Sequence, residues 1–344
     1  MRIYFFAFLI ILPALNCGTP ALDCRPEDGS CNALAFASIF SSELFKSCSS
    51  QELVFQQTPS ADAGSSWAGM GYSPGFGRFI SLAGGASPTT SMVSLDGINW
   101  SAAVGVVAEE WRDVTGMNGI IIGTSITNNA ITRSTDGVNF SSVGGVPAGL
   151  WKSVATGNGL FVAVDQDTGS ANSAMVSSDG LSWSPSTTNG GLQWTDVAFG
   201  NGIFVAVGTS ATAVMTSPDG AVWTSVPGAP TTGVWRAVTF GNGRFVAVAD
   251  SGTDQVMTST DGSTWVASPT PAGHPWSSIT YGDGRFVALA TGGADQVLTS
   301  TDGMLWSVQP APITVSWSGV SYSPLSRRFA AVASTGEAMY ANCF

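Results

Sequence analysis

Apolar and polar positions alternate along this chain in a pattern that returns at a long, regular interval. The segments WTDVAFGNGIFVAVG, WRAVTFGNGRFVAVA and WSSITYGDGRFVALA each begin with a tryptophan and carry two alternating runs around a glycine-rich turn. Alternation with a period of two predicts β-strands, and a glycine turn between two such runs predicts a hairpin. Each unit continues through a variable loop, a VMTS-like strand, an Asp-Gly turn and a short strand that ends in an aromatic residue. The pattern therefore predicts four antiparallel strands per unit.

Seven tryptophans open these units, and they follow one another at intervals of 40 to 44 residues. They are Trp67, Trp111, Trp151, Trp194, Trp235, Trp276 and Trp317. Four strands in a period of this length are typical of the blade of a β-propeller, which buries both of its faces against neighbouring blades. The prediction is an all-β fold, a seven-bladed β-propeller of four-stranded antiparallel blades, over residues 51–344.

The closing aromatic residues indicate how the ring is completed. Six of them lie 11 or 12 residues before the next opening tryptophan, and the seventh unit has none after it. Phe55 lies 12 residues before Trp67, which is the same spacing. We therefore expect the strand around Phe55 to complete the last blade.

The first residues have the character of an export signal. Arg2 is followed by an apolar run of 13 residues, Ile3 to Leu15, which is too short to span a bilayer but suits a signal peptide over residues 1–16. The sequence ALNC that follows resembles a bacterial lipobox, which implies that Cys17 is acylated and that the protein is anchored in the bacterial cell envelope, at the outer membrane or cell surface. An ordinary secretory signal and a secreted protein are the alternative. Residues 17–50 are interpreted as an anchor or linker segment with a short helix over Ala33–Lys46.

The five cysteines fit an exported protein. If Cys17 carries lipid, four cysteines remain and three pairings are open to them. We predict a Cys48–Cys343 disulfide, because both residues should lie at the same corner of the last blade. Cys24 and Cys31 would then close a short local loop.

A serine, an Asp-Gly pair two residues later and a closing aromatic recur in the turn between the third and fourth strands. This motif resembles the Asp-box, or BNR, repeat of sialidases and of propellers of the photosystem assembly-factor type. The resemblance implies a structural turn, on the face opposite the pocket, in which the carboxylate accepts backbone hydrogen bonds. It covers most of the chain, although the usual box has one more residue between the aspartate and the aromatic. The six aspartates are Asp96, Asp136, Asp179, Asp219, Asp261 and Asp302.

Charge suggests two further candidate sites. The net charge is −11 and no cluster of lysines and arginines exists, which argues against nucleic acid as a partner. Arg112, Lys152 and Arg236 each follow an opening tryptophan, so they are candidates for an anion site in the channel; strand side chains that simply extend to solvent are the alternative. Acidic residues on the variable loops are candidates for a ligand face or a calcium site, against the alternative of a solvated rim. They are Asp165, Asp167, Asp250, Asp254, Asp295 and Glu337.

No catalytic constellation emerges from the sequence. His274 is the only histidine, and no nucleophile accompanies it. We therefore expect a monomeric, non-enzymatic protein without a cofactor that binds a protein or glycan through its loop face and meets a membrane only through its lipid. The alternatives are a glycan-acting hydrolase, which paired carboxylates facing the channel would support, and a purely structural or assembly role.

Overall fold

A computed structural model describes residues 53–60, 62–85, 90–168, 173–188, 192–210, 214–230, 233–271 and 273–343. The chain divides into two units, Met1–Phe45 and Lys46–Phe344. The first unit lies outside the described residues. The predictions of a signal peptide, of a helix over Ala33–Lys46, of acylated Cys17 and of pairing by Cys24, Cys31 and Cys48 also fall outside them.

The second unit contains seven four-stranded antiparallel sheets, and each sheet begins with one of the predicted tryptophans. The first strands are β2 (Trp67–Ser73), β6 (Trp111–Met117), β10 (Trp151–Gly157), β14 (Trp194–Gly200), β18 (Trp235–Gly241), β22 (Trp276–Gly282) and β26 (Trp317–Ser323). The second strands are β3 (Arg78–Ala83), β7 (Ile120–Ser125), β11 (Leu160–Asp165), β15 (Ile203–Gly208), β19 (Arg244–Ala249), β23 (Arg285–Ala290) and β27 (Arg328–Ala333).

The third and fourth strands are shorter than the first two. The third strands are β4 (Ser91–Ser94), β8 (Ile131–Ser134), β12 (Ala174–Ser177), β16 (Val214–Ser217), β20 (Val256–Ser259), β24 (Val297–Ser300) and β28 (Ala338–Asn342). The fourth strands are β5 (Ser101–Ala102), β9 (Phe140–Ser142), β13 (Ser184–Pro185), β17 (Thr224–Ser225), β21 (Val266–Ser268), β25 (Ser307–Gln309) and, from the start of the unit, β1 (Phe55–Thr58).

The ring closes through the seventh blade. β1 pairs antiparallel with β28, with Phe55 opposite Ala341 and Thr58 opposite Ala338. The first strands contact one another in sequence around the circle, and β26 contacts β2. The predicted seven-bladed β-propeller, with its last blade completed by an N-terminal strand, is therefore confirmed.

Apolar side chains fill the spaces between the blades in seven separate clusters. All seven opening tryptophans are buried, and so are phenylalanines of the second strands such as Phe245. Burial of an aromatic side chain is a large favourable contribution to folding. Because each cluster lies between two blades, no blade buries its own core alone.

The antiparallel order gives the ring two different ends. Connections between the first and second strands and between the third and fourth strands meet at one end, here called the turn end. The other connections meet at the opposite end, here called the loop end. In the described part of the chain, no helix has the length and apolar character needed to cross a bilayer.

Candidate functional site: the central channel

The centre of the ring is a cavity of about 990 Å³, lined by the first strands of all seven blades. Each of these strands has a register irregularity directly after its opening tryptophan. A bulge of this kind redirects the side chain at that position. Residues one and two places after the tryptophans therefore decide the chemistry of the channel near the loop end.

Three cationic side chains meet at this level of the channel. Arg112, Lys152 and Arg236, from three different blades, all line the same cavity. Arg112 forms an ion pair with Glu110 at 2.8 Å, and Arg236 pairs with Asp250 at the edge of the loop end. The geometry therefore brings together the three residues that the sequence singled out.

Lys152 differs from the two arginines in its surroundings. Among the residues that the structure describes, it forms no ion pair within 4.0 Å. Burial lowers the pKa of Lys152 to about 8, and the positive charges of Arg112 and Arg236 add to this shift. A cation with no carboxylate in direct contact, close to two other cations, is a favourable place for an anion, which would also restore the charged form of the lysine.

In three other blades the same position has a structural role. Thr195, Ser277 and Ser318 donate hydrogen bonds to the carbonyl oxygen of the next blade's opening tryptophan, at 2.9, 2.8 and 2.7 Å. These hydroxyl groups tie neighbouring blades together. Arg112, Lys152 and Arg236 occupy the same position in blades without this hydroxyl group. The cations therefore differ from the repeated residue at that position.

One residue further along the strands, two carboxyl groups face the channel. Asp113 and Asp196 both contact the hydroxyl of Ser153, at 2.8 Å from Asp113 Oδ2 and 2.6 Å from Asp196 Oδ1. Asp113 Oδ2 also accepts from Val154 N–H, and Asp196 Oδ2 accepts from Val238 N–H. Burial raises the pKa of both carboxyl groups, and repulsion from Asp113 contributes to raising that of Asp196 to about 7.

Aromatic rings surround the channel nearer the turn end. The rings of Phe199, Phe240 and Tyr322 line the cavity there. Each packs on a glycine of the preceding blade; a Cβ added to Gly200 would lie 1.9 Å from Phe240 Cγ. The channel thus changes from cationic to acidic to aromatic along its length.

The acidic residues of the loop end do not form one ligand set. Asp165 is buried and accepts from the backbone N–H groups of Leu150 and Asp167, so it braces a loop. Asp250 pairs with Arg236, and Glu337 accepts from the hydroxyl of Thr335. The two other residues proposed for this face, Asp254 and Asp295, are half-buried on separate loops.

A metal site is not apparent in the part of the chain that the structure describes. No three or more histidines, cysteines, aspartates or glutamates come together there in an arrangement that would hold an ion. The calcium hypothesis therefore has no ligand set among these residues.

The six box aspartates lie at the turn end and share one geometry. In the fifth blade, Asp261 Oδ1 accepts from the N–H groups of Ser263 and Thr264 at 2.8 and 2.7 Å, and it contacts the Ser259 hydroxyl. Equivalent contacts surround Asp96, Asp136, Asp179, Asp219 and Asp302. These hydrogen bonds lower the pKa of Asp261 to about 2. The carboxylates are thus occupied within their own turns.

The acid pair and the aromatic lining were not predicted from the sequence. Asp113, Ser153 and Asp196 form a polar set two residues after their opening tryptophans, where three other blades have glycine or alanine. A position-by-position alignment of the repeats shows these polar residues. The proximity of the three side chains depends on the radius of the ring, which the sequence does not state.

The described architecture defines a class of protein, the seven-bladed β-propeller with a polar central channel. No protein-family model matches the chain, and no curated protein matches it either. Solved structures of the same fold do match. Virginiamycin B lyase from Staphylococcus aureus is 14% identical, with 85% of this chain and 100% of that chain covered and a TM-score of 0.71. A catalytically inactive form of that enzyme with quinupristin is 13% identical over the same shares, with a TM-score of 0.73.

A second kind of neighbour is YCF48 from Cyanidioschyzon merolae. It is 14% identical over 84% of this chain and 98% of that chain, with a TM-score of 0.64. A structure of YCF48 bound to the D1 peptide is 15% identical over 86% and 96%, with the same TM-score. At these identities the likeness shows the fold alone.

These comparisons correct one expectation. The sequence analysis predicted a protein that is not an enzyme, but the same fold is found in a lyase. The physical reason for the error is that chemistry in a propeller depends on side chains that differ between blades. Counting the repeated motif gives no information about those side chains.

Proposed function

We propose that this protein binds an anionic group of a protein or glycan ligand at the loop end of its channel. The observation that carries the proposal is the meeting of Arg112, Lys152 and Arg236 around one cavity, with no ion pair within 4.0 Å for Lys152 among the described residues. Loops that differ from blade to blade surround this point and would supply specificity. The resident ion pairs of the two arginines would be exchanged for pairs with the ligand.

Binding to arrays of acidic glycans and acidic peptides tests this proposal. The variant Arg112→Gln/Lys152→Gln/Arg236→Gln removes the three cations, and we expect it to lose the ligands that the wild type retains. Arg133→Gln is the matched control, because Arg133 lies toward the turn end, where it donates to the carbonyl oxygen of Asp179. Equal loss in Arg133→Gln, or full retention in the triple variant, would contradict the proposal.

We further propose that Cys17 is acylated and holds the propeller at a bacterial envelope surface, with secretion as the alternative. The lipobox-like sequence ALNC supports this. Mass spectrometry of the mature N-terminus should find a lipid on Cys17; an unmodified N-terminus elsewhere would exclude the anchor. Peptide mapping without reduction should recover Cys48 joined to Cys343, which is buried directly after β28.

A specific observation also favours a second candidate function, that of a glycan-acting hydrolase. Asp113 and Asp196 are a pair of carboxyl groups that line the channel, 2.8 and 2.6 Å from the shared Ser153 hydroxyl. Glycosidases act through such a pair of carboxyl groups, one of them with a raised pKa. Aryl glycosides that release a fluorescent product test this function: activity should disappear in both Asp113→Asn and Asp196→Asn. The shared fold with YCF48 supports an assembly role only as a third proposal.

A further inference from the structure

The contacts of the Ser153 hydroxyl require a proton that the serine cannot supply. Its oxygen lies 2.8 Å from Asp113 Oδ2 and 2.6 Å from Asp196 Oδ1, and Val197 N–H points at it from 3.4 Å. A hydroxyl group carries one hydrogen and donates one hydrogen bond. One of the two short oxygen–oxygen contacts therefore has no hydrogen in it, unless one carboxyl group carries a proton and donates it to Ser153.

The remaining contacts of the two carboxyl groups hold them in this arrangement. Asp113 also accepts from the N–H groups of Val114 and Val154, and Asp196 accepts from those of Val197 and Val238. Backbone groups of several blades fix both side chains, so neither is free to turn away when the proton leaves. Loss of the proton would leave two negative charges facing each other across one hydroxyl group.

We infer that Asp113, Ser153 and Asp196 form a proton-sharing cluster that makes anion binding at Arg112, Lys152 and Arg236 dependent on pH. This inference rests on the proposed function. With the shared proton the cluster carries one negative charge, and without it two. The second charge lies one strand position from the cations, where it competes with an external anion for them.

The charged groups that line this part of the channel are few. Lys152 interacts electrostatically with Asp113, Asp196, Arg112 and Arg236. Two further carboxylates, Glu110 and Asp250, are already paired with the arginines. The phenols of Tyr72 and Tyr322 line the channel nearer the turn end, and burial raises the pKa of Tyr322 to about 12, so that it stays neutral.

The sign of the effect follows from the two titrations. The pKa of Asp196 is raised to about 7, so the cluster gains its second negative charge as the pH rises through neutrality. Anion affinity should fall in that interval. Lys152, with a pKa of about 8, loses its charge at higher pH and weakens binding further. Replacing Asp196 removes the titration near neutral pH and leaves that of Lys152, so the two effects can be separated.

Titration calorimetry with sulfate tests the inference, because sulfate keeps its charge over the whole interval. Ionic strength is held constant, and wild type is compared with Asp196→Asn between about pH 5.5 and about pH 7.5. We expect the sulfate affinity of the wild type to fall by about tenfold, from one added charge near the cations. The Asn variant should show little change over the same range.

A matched pair of serine variants separates the cluster from the general effect of losing a hydroxyl group. Ser278 occupies the position of Ser153 in the sixth blade, where it accepts from Val320 N–H at 3.2 Å. Ser153→Ala should shift the pH dependence of sulfate affinity, whereas Ser278→Ala should leave it unchanged.

Carboxyl carbon NMR of the protein labelled at aspartate provides a readout without any ligand. One aspartate should titrate near neutral pH in the wild type and be missing in Asp196→Asn. Absence of this titration would overturn the inference, and so would a pH-independent sulfate affinity in the wild type. Failure to bind sulfate at any pH would instead overturn the proposed function.

Discussion

The two ends of the propeller are built from the same strands but follow opposite rules. At the turn end, six blades repeat one arrangement in which each aspartate accepts hydrogen bonds from its own turn. At the loop end, the position after the opening tryptophan holds a blade-to-blade hydroxyl tie in three blades and a cation in three others. Repetition therefore marks what stabilises the ring, and departure from repetition marks where a ligand would bind.

The largest expected effect on stability comes from replacing a glycine near the turn end. A Cβ added to Gly241 would lie 2.0 Å from Cγ of Tyr281 in the next blade, so the ring or the backbone would have to shift. Gly241→Ala should lower the free energy of unfolding by about 3 kcal/mol, the upper part of the usual range for overpacking. Urea denaturation measures this. As a control, Gly243→Ala changes a glycine whose added Cβ meets nothing within 4 Å, so only the strain of its φ of 73° remains.

The next effect tests whether the box aspartates act locally and independently. Asp261→Ala removes the acceptor of two backbone N–H groups and should cost about 1–2 kcal/mol in unfolding free energy. The double variant with Asp219→Ala should cost the sum, because each carboxylate accepts its backbone hydrogen bonds within its own turn. Sulfate binding should be unaffected in both variants. Strong non-additivity, or a loss of anion binding, would mean that the two ends are coupled.

The two ends should also respond to pH in opposite directions. The pKa values of Asp96, Asp179 and Asp261 are lowered to about 2, so their stabilisation is present above the unfolded value and is lost as the pH falls toward 2. The pKa of Asp196 is raised to about 7, so its contribution is most favourable at low pH and is lost as the pH rises through neutrality.

Unfolding free energies of two aspartate-to-asparagine variants measure this difference. Relative to wild type, the unfolding free energy of Asp196→Asn should rise by about 1 kcal/mol between about pH 5 and about pH 8. This value allows for screening of the carboxylate by solvent in the channel. The loss of unfolding free energy in Asp261→Asn, relative to wild type, should be smallest at the acidic end of the range. Parallel pH profiles for the two variants would contradict the assignment of opposite roles.

The smallest effect on stability is expected at the cationic rim. Arg236 and its partner Asp250 are 40% and 26% exposed, and ion pairs of this kind contribute less than about 1 kcal/mol. Arg236→Gln should therefore melt like the wild type while binding sulfate more weakly. A large loss of stability would mean that the arginine belongs to the structural framework.

Features of the fold and the channel that recur from blade to blade could be predicted from the sequence. The opening tryptophans and the box aspartates recur, so the number of blades and the closing role of Phe55 follow from counting. Arg112, Lys152 and Arg236 were predicted as a channel site because they share one position in the repeat. An alignment of the repeats shows Asp113, Ser153 and Asp196 at one position. Their proximity is set by the ring, so the sequence does not predict that they form one cluster.

Pairing of β1 with β28 has a consequence for the order in which this molecule is made. Tyr340 donates to Gln56 across 284 positions of sequence, at 2.6 Å. During synthesis β1 therefore emerges before the other strands of the propeller and must wait unpaired until β28 has emerged. Contacts between such distant segments form slowly, because the entropic cost of closing a long loop arises before the contacts can stabilise the structure. An unfinished ring would expose the apolar faces of its first and last blades, which cover each other once the ring is closed.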